Sequence, residues 1–199
     1  MSKINIEEMV WSVPVGYEAD RVAAIKSAPP GLLLEMGTNR GRYIREMADI
    51  CAPRLIWGFD SFEGMPEAWG PEVPKGAWAC EPPRDLPANV CLVKGLFQDT
   101  LLPFLSNQNP RQEVAFVHFD ADLYSSTIFC LNTMTPWLAD RCLLMFDQVT
   151  DQFNKTPRET LRREHEGRAM QEWTDAHPEL TIECIGRQKR DGAIFRILK

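Results

Sequence analysis

Along the chain, short and nearly continuous apolar runs alternate with segments whose apolar residues recur at helical spacing. The runs at 31–36, 55–60, 90–94, 114–120 and 141–147 have the length and composition of strands buried on both faces. Between the first two, Ile44, Met47, Ala48 and Cys51 mark one face of a helix that Pro53 closes. After the fourth run, Ser125-Ser126-Thr127 supplies helix-start residues for a segment over 125–138. After the fifth, Pro157 opens a charged helix carrying Leu161, Ala169 and Trp173. This alternation predicts an α/β fold, a mostly parallel sheet with helices on both faces. The last two runs, 180–185 and 193–198, flank a polar turn over 187–192, which predicts a C-terminal antiparallel hairpin at the sheet edge.

Two stretches fall outside this rhythm. Residues 1–30 predict an irregular lead-in and one helix over 18–27, ended by Pro29-Pro30, ahead of a single domain over 31–199. Residues 63–89 hold six prolines and predict a long loop over the carboxyl edge of the sheet, where long loops carry function.

Composition narrows the function classes. A chain of 199 residues, 44% apolar and 25% charged, suits one soluble domain, and no run reaches the roughly 20 apolar residues of a membrane helix. The N-terminal residues lack the basic-then-apolar layout of a secretory signal, so a cytoplasmic protein is expected. The six cysteines are scattered without a C-x-x-C pair and read as reduced thiols, not as a zinc site or a disulfide frame. A net charge of −6 with dispersed Lys and Arg argues against nucleic acid as a partner and leaves a small molecule as the expected one.

The sharpest local signal is Glu35-Met36-Gly37-Thr38-Asn39-Arg40-Gly41, a buried strand that ends in an acid and breaks into a glycine turn before a helix. Gly37 and Gly41 let the backbone turn tightly and let a ligand approach the main chain. A dinucleotide fingerprint would place glycines where Asn39 and Arg42 stand, so a nicotinamide-dependent oxidoreductase is the weaker reading. Asp60 ends the next strand at the separation expected between a glycine turn and an acid that grips ribose hydroxyls; a turn or cap would use the same residue. Asp120 and Asp122 after the fourth strand and Asp147 after the fifth share one crevice, where like charges need a proton, a metal ion or a cationic ligand among them. Their oxygen donors suit Mg²⁺ better than zinc. Alternation places His118 inside the sheet, and a solvated helix face accounts for His165. Trp57, Trp137 and Trp173 read as core, which leaves Trp69 and Trp78 of the long loop as the tryptophans facing a substrate.

In order along the chain, Glu35-Met36-Gly37 with Arg40-Gly41, Gly58-Phe59-Asp60-Ser61-Phe62-Glu63-Gly64-Met65-Pro66-Glu67, Lys94-Gly95-Leu96-Phe97-Gln98-Asp99, Asp120-Ala121-Asp122-Leu123-Tyr124 and Phe146-Asp147 resemble the macrocin O-methyltransferase-like family of class I methyltransferases, which use S-adenosylmethionine (SAM). The resemblance implies a Rossmann-like seven-stranded sheet and methyl transfer to a hydroxyl of a sugar or other natural-product-type acceptor. It implies SAM contacts from Glu35, Gly37, Thr38, Asn39 and Gly41, from Asp60 and Ser61, from Phe97 and Gln98 near the adenine, and from Asp120. By matching position, Asp120, Asp147 and Gln148 would hold Mg²⁺ and Asp122 would be the general base. Gln148 departs from the pattern, standing where the family carries a second acid; its amide oxygen can ligate without charge. A SAM-binding partner or regulatory module without catalysis is the alternative reading, and a homo-oligomer is left open.

Overall fold

The computed structural model describes residues 4–14, 18–108, 110–149, 163–187 and 192–199. Its elements run α1 (Ile6–Trp11), α2 (Glu18–Ser27), β1 (Leu32–Met36), α3 (Arg42–Cys51), β2 (Ile56–Asp60), β3 (Val90–Lys94), α4 (Phe97–Ser106), β4 (Val114–Phe119), α5 (Tyr124–Met134), β5 (Leu138–Phe146), α6 (Arg168–Ala176), β6 (Thr181–Arg187) and β7 (Ala193–Leu198). The strands form a seven-stranded sheet in the order β3-β2-β1-β4-β5-β7-β6. The neighbours from β3 to β5 are parallel, whereas β7 runs antiparallel to both β5 and β6. The predicted parallel sheet with its edge hairpin is therefore the observed one; the residues joining β6 to β7, 188–191, and the expected helix start at Pro157 lie outside the described residues.

Alternation along the buried strands builds two cores. Leu34, Met36, Val117, Phe119, Leu144 and Phe146 face one side of the sheet, against Leu101 and Leu105 of α4, Leu131 and Met134 of α5 and the fully buried Trp173 of α6. Leu33, Phe116, Leu143 and Met145 face the other, against Ile25 of α2 and Ile44, Met47 and Ala48 of α3. Since neither face is open to water, the side chains that meet solvent at the strand ends are those of the connecting turns.

Three elements differ from the sequence expectation. The lead-in contains α1, a helix too short for periodicity to reveal; Asn5 caps it, and it docks through Ile6 N–H donating to Gln171 Oε1 at 2.9 Å and Gln171 Nε2 donating to Ile4 O at 2.8 Å. Between β3 and β4 lies α4, a helix that the residue spacing did not single out, with Pro103 inside it, a residue that argues against a helix interior. Strand β5 begins at Leu138, before the expected start, because the polar pair Asp140-Arg141 sits on an irregularity in its pairing with β4 and masks the apolar run; Arg141 there has φ 65°.

Candidate active site

Strand-end hydrogen bonds set the site's frame. Gly37 N–H donates to Phe59 O at 2.9 Å, Gly95 N–H to Asp60 O at 2.9 Å, Asp120 N–H to Met36 O at 2.9 Å, and Asp147 N–H to Phe119 O at 3.0 Å. These continue the ladder one step beyond the strands, so the turns after β1, β2, β3 and β4 open side by side. A cavity of ≈ 360 Å³ lies over them. One wall is the turn Gly37, Thr38, Asn39 and Arg40 with Arg42 and Tyr43 of α3. A second is Asp60 and Ser61 with Met65, Pro66 and Trp78 of the long loop; Gly95, Leu96, Phe97 and Gln98 make a third, and Asp120, Ala121, Asp122 and Ser126 form the floor.

Gly37 holds φ 97°, and a Cβ there would fall 2.1 Å from Asp120 O, so the two strand ends touch only because this residue has no side chain. Gly41, at φ 76°, starts α3 and donates its N–H to Thr38 O at 2.8 Å; it stands behind the turn and does not line the cavity. Asp60 is locked from two sides: Oδ2 accepts Asn39 N–H at 2.7 Å and Oδ1 accepts Phe62 N–H at 2.7 Å. Each carboxylate oxygen accepts more than one hydrogen bond, so both retain capacity toward the cavity. Asn39 also donates through Nδ2 to Trp78 O at 3.0 Å and thereby ties the long loop to the glycine turn.

Two predicted residues sit beneath the cavity. Glu35 is fully buried and faces its cross-strand neighbour His118, Oε1 to Nδ1 at 3.3 Å, while its Oε2 finds no partner among the described residues. Burial works against a charged His118, yet the hydrogen bond and charge of Glu35, with Asp120 and Asp147 nearby, hold its pKa above the usual value. Tyr43, which lines the cavity, packs edge-on over that imidazole with centroids 5.3 Å apart. Asp147 and Gln148 likewise do not line the cavity.

A family model described as a methyltransferase domain matches residues 34–149, more than half of the chain. The chain belongs to the methyltransferase domain family. The matched span of this methyltransferase runs from within β1 to just past β5 and so contains every strand end around the cavity. No curated protein matches in sequence. Among solved structures, CalS11, a calicheamicin methyltransferase, is similar at 22% identity over 90% of this chain and 76% of its own, with a TM-score of 0.66. The O-methyltransferase NovP is similar at 22% identity over 90% and 80%, with a TM-score of 0.58. An O-methyltransferase from Bacillus cereus in complex with SAH is similar at 18% identity over 100% and 84%, with a TM-score of 0.56. These likenesses establish the Rossmann-like methyltransferase fold. Among the described residues no helix is long and apolar enough to cross a membrane.

The floor of this methyltransferase is acidic. Burial, opposed by His118 and reinforced by Asp147, Glu35 and Asp60, raises the pKa of Asp120 to about 7. Asp122 stands in the left-handed region at φ 58°, within a tight turn in which Leu123 N–H donates to Ala121 O at 2.6 Å. A further acid, absent from the sequence expectation, joins them: Glu166, of the π-helical turn Arg163–Gly167. It is buried beside Asp122, Asp120 and Asp147, and burial, with those charges adding, pushes its pKa well up. The sequence expectation for His165 also changes. Its ring is half-buried, Nδ1 accepts Tyr124 N–H at 3.1 Å, and Trp69 packs edge-on against it at 6.2 Å. Since Nδ1 accepts, Nε2 carries the proton, and burial holds the pKa below its ordinary value.

Proposed function

We propose that this methyltransferase moves the methyl group of SAM onto a hydroxyl oxygen of a sugar or other small natural-product-type acceptor, in the cytoplasm. We assign it to the macrocin O-methyltransferase-like branch on the ordered motifs from Glu35 to Asp147. The observation that carries the reading is one cavity shared by an anchored acid, Asp60, and a strained acid, Asp122, from two different strand ends. The names of NovP and the Bacillus cereus enzyme support oxygen as the acceptor atom, and the SAH in the latter supports SAM as the donor.

The residues present fit SAM. The cavity is within the ~300–1,000 Å³ range of small-molecule sites. Asp60 offers spare acceptor capacity to a ribose diol, Gly37 leaves bare backbone beside it, and Asp120 and Asp122 supply negative charge toward a cation. Bound SAM would supply a methyl group on a positive sulfonium. Asp60 then orients the nucleoside, the long loop with Trp78 excludes water, and Asp122 accepts the proton of the acceptor hydroxyl, a weak nucleophile near neutral pH.

The donor set for Mg²⁺ does not fit in the same way. Among the described residues no three His, Cys, Asp or Glu side chains group to hold a metal ion. Gln148 turns its amide nitrogen, a donor, toward Asp122 Oδ1 at 3.4 Å, opposite to a ligand's polarity. Proton removal is therefore assigned to Asp122 alone.

Calorimetry with SAH, followed by incubation with SAM and a panel of nucleotide sugars, polyols and catechols, tests the reading by a product gaining one methyl mass. Uptake of SAH and a methylated product insensitive to EDTA are expected. A folded protein that takes up neither SAM nor SAH overturns the function, and activity abolished by EDTA and restored by Mg²⁺ overturns the metal-free part alone.

A further inference from the structure

The segments after β4 and β5 are joined by a side chain that belongs to neither. Glu166 Oε1 accepts Ala121 N–H at 3.1 Å and Oε2 accepts Gln148 N–H at 3.3 Å. Both contacts bear on Asp122. Ala121 immediately precedes it, and the Gln148 side chain donates to its Oδ1 at 3.4 Å. Asp122 holds φ 58°, a backbone conformation that L side chains rarely adopt and that persists only where the surroundings over-determine it.

Glu166 is only 1% exposed, and a carboxyl group taken out of water among three other acids is an unfavourable core residue. An apolar side chain in its place would instead leave two backbone N–H groups without an acceptor. The next residue shows how closely this turn is pressed into place: a Cβ on Gly167 would lie 2.3 Å from Val149 O, so the backbone meets the segment after β5 directly.

We infer that Glu166 is a positioning residue for methyl transfer, a clamp that fixes the turn of Asp122 and the backbone of Gln148 from across the chain. This rests on Asp122 as the base. Glu166→Gln preserves the shape and one acceptor oxygen but presents a donor to the second N–H, whereas Glu166→Ala removes both acceptors. In the intact protein, with the acceptor found by the product-mass screen, Glu166→Gln is expected to lower kcat by about 100-fold, the cost of misplacing a reacting group by an ångström, with acceptor KM and SAH affinity close to wild type. Amide hydrogen exchange is expected to show lost protection at Ala121 and Gln148 together, further in Glu166→Ala.

Wild-type kcat in Glu166→Gln overturns the inference. So does lost SAH binding in a folded variant, which would make Glu166 a builder of the pocket rather than a clamp on the base. If the wild type methylates nothing in the panel, amide protection decides the clamp, and if it also takes up neither SAM nor SAH, the functional reading fails by itself. Unchanged protection in both variants overturns it, and loss at both amides upholds it.

Discussion

Asp60 and Asp122 are the same residue type at two strand ends, and their surroundings give them different work. Asp60 accepts two backbone N–H groups and is held in one orientation, which suits binding. Asp122 sits on strained backbone over a buried acid, which suits a group that must meet a proton at a defined point. Asp122→Asn keeps the size and removes the basicity, and should lower turnover by about 10²–10⁴-fold while SAH still binds; wild-type turnover would remove Asp122 from the chemistry. Asp122→Gly separates function from stability more sharply. Glycine adopts φ 58° without the Cβ penalty, so the variant should melt no lower than wild type while losing activity. A lower melting temperature together with retained activity would assign Asp122 to the fold.

At the same scale the sequence was legible where a residue's role follows from its place on a strand. Asp60, Asp120 and Asp122 stand where they were expected, lining the cavity, and His118 is inside the sheet. Glu35 was expected to touch the cofactor; its side chain is buried beneath the cavity, because alternation turns it to the α3 side with His118. Glu166 was not legible at all. It lies in the charged run Arg162-Arg163-Glu164-His165-Glu166, which reads as a solvated helix face, and only the packing of the π turn against the segments after β4 and β5 buries it.

Among the elements, the parallel strands and the edge hairpin were the most legible, since strands buried on both faces are written as continuous apolar runs. The long loop was recognised by its prolines, but its path depends on tertiary contacts that local sequence does not encode. Asn39 holds Trp78 O, Ser125 Oγ donates to Glu67 Oε1 at 2.5 Å, and Trp69 packs between Trp78 and His165 with centroids 5.8 and 6.2 Å away. The loop is thus tied to the turn after β1, to α5 and to the π turn, and it carries Trp78 into the cavity wall at 51% exposure. So exposed a tryptophan contributes little to folding and presents a flat apolar face to whatever enters. Trp78→Ala should leave stability within about 0.5 kcal/mol. It should raise the acceptor's KM by roughly tenfold, the equivalent of about 1.4 kcal/mol of ring packing, with SAH affinity retained. An unchanged KM, measured with the acceptor that the wild type methylates, would place the acceptor elsewhere.

For the whole molecule, the sheet is an apolar slab whose carboxyl edge concentrates charge that its interior excludes. Asp60, Asp120 and Asp122 line the cavity there, and Glu35, Asp147 and the buried Glu166 lie behind it within electrostatic reach of Asp120, while His118 is the buried base beside Glu35. Asp120 carries the clearest consequence, its pKa raised from 3.8 to about 7 chiefly by burial. The folded protein therefore binds more protons than the unfolded chain between those values, so this group's contribution to stability is full below about pH 4 and is lost as pH rises through about 7; Glu166, raised in the same direction, reinforces it. A cationic sulfonium in the cavity favours the ionised form of Asp120, and SAH has no such charge. The affinity of SAM relative to SAH should then increase as pH rises from about 6 to about 8, because below the pKa SAM must first displace a proton. Calorimetric titration of both ligands across that range checks the linkage. A constant ratio would mean that the sulfonium does not sense Asp120, and the acidic floor would then serve the acceptor side of the site alone.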